Sequence, residues 1–409
     1  MRLRWKREWT WILIALLGLR VLYTVLGTIT ISDGLPEALG ADESLFAATA
    51  PLHTDGISQS LVNVWMRWDT AWYLKIAASG YAANDGSIAF MPLYPWLIKA
   101  VGLLLGGNLL LGAILVSNLA ALVALILLYE LAQLEVHFKT NAMQSVMAML
   151  VFPTGFFLLA AYSESLFLAL TLAAWMLAKQ RKYWGAGILA ALATLCRLQG
   201  ALLSPVLIWL YLADAAAAQG LDPLQQLRAV WQMLRQTKGW LKSGQAMLRS
   251  SGLAVLLPVA SMLGYQIWMS NANMGGIRQA LATNWGIRTV MPWQGLWLFL
   301  ERLVTTPRVF IDYIDLGLLG LMLGVCIYAS LRLNPAYSLY NFLSLGLYFM
   351  RGTPPHLLDS FSRYLLLLFP AFLVFGTVSN RKLALALSIF SFMLQLFLVM
   401  GFLDWRWVA

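Results

Sequence analysis

Apolar residues run through this chain in long blocks separated by short polar breaks, from Thr10 almost to the C-terminus. A block of about 20 residues is what a helix needs to cross a bilayer core about 30 Å thick. The blocks predict membrane helices near 10–31, 108–130, 141–161, 164–179, 184–198, 200–213, 252–271, 310–331, 336–350, 363–378 and 383–402, eleven in all. Those near 164–179, 184–198, 200–213 and 336–350 are short, so tilt or re-entrant geometry is expected there. Ten-residue segments of alternating polarity, the mark of a membrane β-barrel, are absent. The expected fold class is an all-α polytopic membrane protein forming one domain over 1–409.

The segment 88–106 is the exception among the apolar stretches. It carries Pro92, Pro95 and Lys99 behind the aromatic run Phe90-Met91-Pro92-Leu93-Tyr94-Pro95-Trp96, the composition of a helix lying in the interface. With it non-spanning and Arg2, Arg4, Lys6 and Arg7 in the cytoplasm, the cluster Lys179, Arg181 and Lys182 and the basic stretch from Arg228 to Arg249 also fall in the cytoplasm, as the positive-inside rule requires. This leaves a long external first loop, 32–107, bearing interfacial helices, and a cytoplasmic amphipathic connector, 214–251, suited to anionic lipid. The first apolar run is longer than the h-region of a signal peptide, so an uncleaved helix is expected.

Composition agrees with this layout. The chain is 60% hydrophobic and 11% charged, against about 25% charged in an ordinary soluble domain. Its net charge of +10 is not gathered into the aromatic-interleaved patches of nucleic-acid binding. Cys196 and Cys326 lie inside apolar segments without C-x-x-C spacing, and His53, His137 and His356 share no ligand spacing, so neither a disulfide framework nor a metal site is indicated. Neither a P-loop nor a dinucleotide fingerprint occurs, and no cofactor is expected.

Candidate chemistry lies where ionisable residues meet the external helix ends, because such groups are costly near lipid. Asp69 leads, in Arg67-Trp68-Asp69-Thr70-Ala71-Trp72-Tyr73-Leu74-Lys75. A carboxylate among Trp68, Trp72 and Tyr73 is partly desolvated, as a general base requires; pairing with Arg67 or Lys75, or helix capping, is the plainer reading. Glu164, in Ala161-Tyr162-Ser163-Glu164-Ser165, either caps a helix or hydrogen-bonds a sugar or acceptor. Arg197 sits in a charged break, Cys196-Arg197-Leu198-Gln199-Gly200. Arg363, beside Tyr364, either grips a phosphate with paired hydrogen bonds or anchors the interface. Arg20 lies mid-helix and calls for a partner or a polar cavity.

Taken in order, these stretches resemble the GPI mannosyltransferase 2 (PIG-V) family of GT-C membrane glycosyltransferases. The likeness is carried by Arg67-Trp68-Asp69 running on to Gly80-Tyr81, Ala89-Phe90-Met91-Pro92-Leu93-Tyr94-Pro95, Ser117-Asn118, Phe152-Pro153, Ala161-Tyr162-Ser163-Glu164-Ser165-Leu166-Phe167, and Arg197 with Gly200. Ser362-Arg363-Tyr364 before Phe369-Pro370 resembles bacterial relatives. The family often reads Arg-Ser-Asn-Gly where this chain has Arg197-Leu198-Gln199-Gly200.

The resemblance implies a GT-C-like fold, an essential aspartate on the first external loop, a polyprenyl-phosphate sugar donor, and inversion at the anomeric carbon. Carried to this chain, it makes Asp69 the expected catalytic residue. Arg197, Arg363 and Lys75 become the expected donor-phosphate contacts, and Glu164, Trp68, Tyr73, Tyr162 and Tyr364 the expected substrate or acceptor contacts. The sugar is expected to be mannose and the acceptor lipid-linked or another glycan. The expected setting is a multi-pass position in a prokaryotic plasma membrane or the endoplasmic reticulum of a eukaryote, with the site on the non-cytoplasmic face. A lipid-linked sugar flippase or a non-catalytic scaffold is the competing reading.

Overall fold

The computed structural model describes residues 5–30, 62–135, 141–217, 225, 228, 251–352, 357–358 and 360–408. In chain order its α-helices are α1 (Arg7–Thr30), α2 (Asp69–Ser79), α3 (Leu93–Leu104), α4 (Leu109–Leu134), α5 (Ala142–Leu150), α6 (Glu164–Lys179), α7 (Tyr183–Cys196) and α8 (Leu203–Ala217). They continue as α9 (Leu257–Asn271), α10 (Ile277–Trp285), α11 (Pro292–Thr305), α12 (Phe310–Arg332), α13 (Pro335–Phe349), α14 (Phe361–Leu365), α15 (Phe369–Phe375) and α16 (Arg381–Leu403). Among the described residues there is no β-strand, only an isolated bridge between Thr289 and Arg351.

The chain is thus an all-α polytopic membrane protein. Six helices among the described residues are long and apolar enough to cross a bilayer: α1, α4, α12, α16, and the spans Leu198–Ala217 and Gly252–Asn271, in which a 3-10 turn leads into α8 and α9. At 1.5 Å per residue a 23-residue helix such as α16 reaches about 35 Å. Polar side chains fix where two of them start. Asn108 accepts from the Leu111 N–H at the head of α4, and Asn380 accepts from Lys382 and Leu383 at the head of α16, satisfying N–H groups that a helix start leaves unpaired. Leu17 and Val21 of α1 and Ile389, Phe390 and Met393 of α16 stay exposed, the faces such a chain turns to lipid.

The centre is built from α4, α6 and α7, whose buried faces are rich in alanine: Ala120, Ala121 and Ala124 on α4, Ala186, Ala190 and Ala193 on α7. Lipid tails are as apolar as leucine side chains, so helices in a bilayer associate by close packing, which small residues permit. Gly187 on α7 shows how close the approach is. A Cβ there would sit 2.0 Å from the Ala254 carbonyl oxygen.

Two predicted membrane helices are broken. The stretch 141–161 forms a helix only as far as Leu150; Pro153 and a 3-10 turn at Gly155–Leu158 carry the chain on to Ser163. Proline cannot donate the N–H that would continue the helix, and at Gly155 a Cβ would meet the Leu150 carbonyl oxygen at 2.6 Å. The carbonyls released must find partners, because no water reaches a bilayer core. Side chains from four distant segments provide them. Gln395 Nε2 donates to Leu150 and Phe152 at 2.8 and 2.7 Å, Ser391 to Val151 at 2.7 Å, Asn118 to Leu159 at 3.0 Å, Thr70 to Ala161 at 3.2 Å, and Ser117 to Tyr162 at 2.7 Å. Arg20 is explained by the same need: its Nη1 donates to Leu159 at 3.0 Å and its guanidinium lies 4.3 Å from the Trp65 ring centroid.

The predicted helix 363–378 is likewise divided into α14 and α15 around Leu366–Leu368, with Pro370 in the first turn of α15. Thr154 Oγ1 donates to the Ser362 carbonyl at 2.9 Å and joins the two broken segments. Their meeting brings the start of α6 beside Arg363.

In the predicted first loop, α3 has 12 residues, about 18 Å and too short to cross alone. It packs on α4 where Gly102 and Gly112 meet: a Cβ on Gly112 would come within 2.9 Å of Gly102 N. Two helices were not anticipated, α10 and α11, in the stretch 272–309. Residues 32–61, most of the connector 214–251, and His53, His137 and His356 lie outside the described residues.

Candidate active site

The segment Arg67-Trp68-Asp69 is held from three sides. Arg67 is buried; its Nε donates to the Leu403 carbonyl at 2.8 Å, its Nη1 to Met66 at 3.0 Å, and its guanidinium stacks on Trp405. Trp68 packs edge-on against Trp405 and Trp407, with φ 49° and ψ −118°. A bulky residue at positive φ is strained and persists only where its surroundings fix it. Here the strain turns the chain sharply into α2, so Asp69 opens that helix, where the helix dipole favours a carboxylate. The Asp69 N–H donates to Tyr162 Oη at 3.2 Å, and that hydroxyl donates to the Arg67 carbonyl at 3.2 Å.

Arg363 completes the arrangement. Its Nη1 lies 2.8 Å from Asp69 Oδ2, and its Nε lies 3.3 Å from Glu164 Oε1. Arg197 Nη1 lies 2.7 Å from the same Glu164 oxygen and 3.0 Å from Ser163 Oγ, which in turn is 2.9 Å from Tyr73 Oη. Two carboxylates and two guanidiniums thus alternate as Asp69, Arg363, Glu164, Arg197. The side chain of Glu164 is fully buried and that of Arg363 is 8% exposed, whereas Asp69 retains 25%. Of the two carboxylates in this cluster, Asp69 is therefore the one open to the cavity. The three guanidiniums of Arg197, Arg351 and Arg363 lie 5.3, 5.6 and 5.3 Å from the Tyr364 ring centroid, which separates like charges with a polarisable face.

These groups open onto a cavity of about 380 Å³, lined by Asp69, Tyr73, Arg197, Arg278, Arg351, Arg363 and Tyr364 on its polar side and by Phe90, Met91, Ile277, Leu281 and Leu347 on its apolar side. The volume falls in the range of small-molecule sites, about 300–1,000 Å³. Of the residues expected from the sequence, Asp69, Arg197, Arg363, Tyr73 and Tyr364 line it. Glu164 and Tyr162 stand directly behind the lining, holding the arginines and the Asp69 turn. Trp68 packs on the C-terminal tryptophans instead. Lys75 is turned away: it pairs with Asp85 at 2.7 Å and lies over Trp72. Neither Arg67 nor Lys75 is the ion-pair partner of Asp69.

The Asp85 carboxyl is the titrating group that stands out near this loop. Burial alone would raise it, but hydrogen bonds from Lys75 and Ser87 and the Lys75 charge outweigh burial and leave it below the ordinary aspartate value. Among the described residues no group of three or more His, Cys, Asp and Glu side chains is placed to hold a metal. Cys196 and Cys326 are both buried and free.

Sequence reasoning passed over Arg278 and Gln266 in the lining and gave no role to Gln199 and Arg351, which lie in the stretches singled out for Arg197 and Arg363. Arg278 had a usable signal: Gly275-Gly276 followed by apolar residues at 277, 280 and 281 marks a short amphipathic helix start. Arg351 had none beyond its place at a helix end.

Residues 11–241 match the mannosyltransferase (PIG-V) family. The chain is 30% identical over 155 residues to the GPI alpha-1,6-mannosyltransferase 2 of Rattus norvegicus, and 31% and 30% identical over 155 residues to those of Mus musculus and Homo sapiens. Each match covers 36% of this chain and 31% of the relative, so the chain spans about a third of the length of the curated relatives it matches. No solved structure matches. Asp69, Glu164 and Arg197 fall inside the matched region, while Arg278, Arg351 and Arg363 fall beyond it. A match over more than half of its length places this chain in the PIG-V mannosyltransferase family.

Proposed function

We propose that the chain is an inverting glycosyltransferase that moves mannose from a polyprenyl-phosphate donor to a hydroxyl of a lipid-linked or other glycan acceptor, at the non-cytoplasmic face. The observation that carries the reading is Asp69: a partly exposed carboxylate in a cavity whose other charged lining groups are all guanidiniums. In such a transfer Asp69 Oδ takes the proton of the acceptor hydroxyl as that oxygen attacks the anomeric carbon. The bond from that carbon to the phosphate oxygen breaks on the opposite side, and the lipid phosphate leaves with the electron pair. Arg197, Arg351 and Arg363 provide a positive wall for the negative charge that develops, fixed in place before the reaction.

Glu164 acts in this scheme as a positioning residue, neutralising and aiming Arg197 and Arg363. The mannose assignment rests on family membership, and the external face on the distribution of basic residues. An aspartate and arginines serve the reaction without any cofactor, and the lipid tail of the donor stays in the bilayer while its head enters the cavity. The test is Asp69→Asn in the purified protein with a polyprenyl-phosphate mannose. Donor binding persists and transfer is lost; full turnover by the variant would remove Asp69 as base. Movement of intact donor across liposomes with no new glycosidic bond would point to a flippase instead.

A further inference from the structure

The cations first expected to meet the donor phosphate are all committed to carboxylates. Lys75 has Asp85 at 2.7 Å, Arg197 has Glu164 at 2.7 Å, and Arg363 has Asp69 at 2.8 Å. An ion-paired guanidinium attracts an incoming anion far less than its formal charge suggests, because the neighbouring carboxylate repels that anion at nearly the same distance. Arg278 differs. It lines the same cavity, its side chain is exposed, and it makes no ion pair among the described residues.

Its helix is well held. α10 sits between Gly275, at φ +82°, and Gly286, at φ +65°, which let the chain turn tightly at both ends. Ala280, with Ile277 packed beside it, joins a small apolar cluster with Ile88, Met91, Tyr265 and Met269. Trp285 closes the other end against Trp72 and Phe90, with ring centroids at 5.5 and 5.9 Å. Ile277 and Leu281, on either side of Arg278, line the cavity with Phe90, Met91 and Leu347. A guanidinium thus stands on a helix anchored at Ala280 and Trp285 beside an apolar surface, the combination that suits a phosphate carrying a hydrocarbon chain.

We infer that Arg278 is the residue that recognises the lipid-borne phosphate of the donor, with the first isoprene units lying along the apolar wall formed by Ile277, Leu281 and Leu347. This rests on the transferase reading above and assigns its donor subsite. It separates two tasks within the cavity. Arg278 captures the phosphate, and the arginines around Tyr364 stabilise its departure.

The probe is a short-chain polyprenyl monophosphate, with the matching uncharged polyprenol and phosphatidic acid as comparators, titrated into the purified full chain. Loss of one charge-assisted contact in Arg278→Gln is expected to weaken polyprenyl monophosphate binding about ten- to a hundredfold, while Arg278→Lys keeps most of it and polyprenol binding is unchanged. In transfer assays the same variant raises KM for the donor more than it lowers kcat. An unchanged unfolding midpoint establishes that Arg278→Gln is folded; if it is not, the Arg278→Lys and wild-type comparison of phosphate against polyprenol decides. Undiminished monophosphate binding by Arg278→Gln, with wild-type transfer intact, would overturn the subsite alone. Equal weakening towards phosphatidic acid would overturn it in favour of a general lipid-headgroup contact. Absence of both transfer and monophosphate binding in the wild-type protein would remove the transferase reading, and the subsite with it.

Discussion

Arg363 reaches Asp69 across 294 residues of chain, its Nη1 2.8 Å from Oδ2. The contact ties a residue of the family-matched region to one beyond it, and it exists because two apolar segments break and meet. Replacing Arg363 with Lys keeps the charge but not the fork that spans Asp69 and Glu164 together. Arg363→Lys is expected to lower kcat by about a hundredfold, in the range seen when one preorganised donor is lost, with donor binding reduced much less. Steady-state kinetics with separate donor titration checks this.

Glu164 should behave differently from Asp69. Its fully buried side chain balances two arginines, so Glu164→Gln leaves buried positive charge without its counter-charge, at a cost of about 3–5 kcal/mol. The expected outcome is a large fall in the unfolding midpoint together with loss of activity. Asp69→Asn should lose transfer with a small change in midpoint. Thermal unfolding of both variants in one detergent separates the roles.

Gln395 predicts a purely structural phenotype. Its amide serves the Leu150 and Phe152 carbonyls and accepts from Tyr23 Oη at 2.7 Å. Gln395→Leu orphans the Leu150 carbonyl and the Tyr23 hydroxyl, each worth about 1–3 kcal/mol when buried, and leaves the Phe152 carbonyl only the Gly155 N–H. Stability is expected to fall by several kcal/mol, and Tyr23→Phe by much less, since it removes only one hydroxyl. Denaturant titration in mixed micelles gives both values.

The Lys75–Asp85 pair gives a pH dependence of known sign. Because the folded Asp85 carboxyl titrates below its ordinary value of 3.8, its contribution is fully present above that value and is lost as pH falls through the lower folded value. Acid unfolding of the wild-type protein should therefore steepen below about pH 4. Asp85→Asn should flatten that limb and leave stability near neutrality lower. Stability measured from pH 7 downward for both proteins tests the sign.

Sidedness is testable with two single cysteines, because Cys196 and Cys326 are buried. Thr283 and Gln180 are exposed. Thr283→Cys is expected to label with an impermeant maleimide from outside, and Gln180→Cys only after permeabilisation. The reverse pattern would put the cavity on the cytoplasmic face.

The long helices were readable from the sequence because an apolar run of sufficient length has one low-energy state in a bilayer. Residues 141–161 and 363–378 misled for the same reason. The sequence there is as apolar as a helix, and the breaks are sustained by distant donors: Arg20, Thr70, Ser117, Asn118, Ser391 and Gln395 for the first, and Tyr348 and Tyr340, on the Tyr364 and Leu367 carbonyls, for the second. Ser117-Asn118 was visible as a motif, but its task of satisfying Tyr162 and Leu159 carbonyls was not. Asp69, Arg197 and Arg363 could be picked out as charges beside apolar runs. Their pairing could not, because local spacing offered Arg67 and Lys75 as nearer partners. α10 was passed over because it is only nine residues long, although Gly275-Gly276 and the apolar spacing at 277, 280 and 281 mark its start.

The anchorage of Arg67 on Leu403 and of Trp68 on Trp405 and Trp407 has a consequence for how the protein is made. The turn that aims Asp69 leans on residues synthesised more than three hundred positions later. Until α16 and the residues through Trp407 have been made, Arg67 lacks its acceptor and Trp68 lacks the surface that holds its strained backbone. A nascent chain, however much of the family-matched region it has already threaded into the bilayer, does not yet hold the Asp69 carboxylate in its final direction.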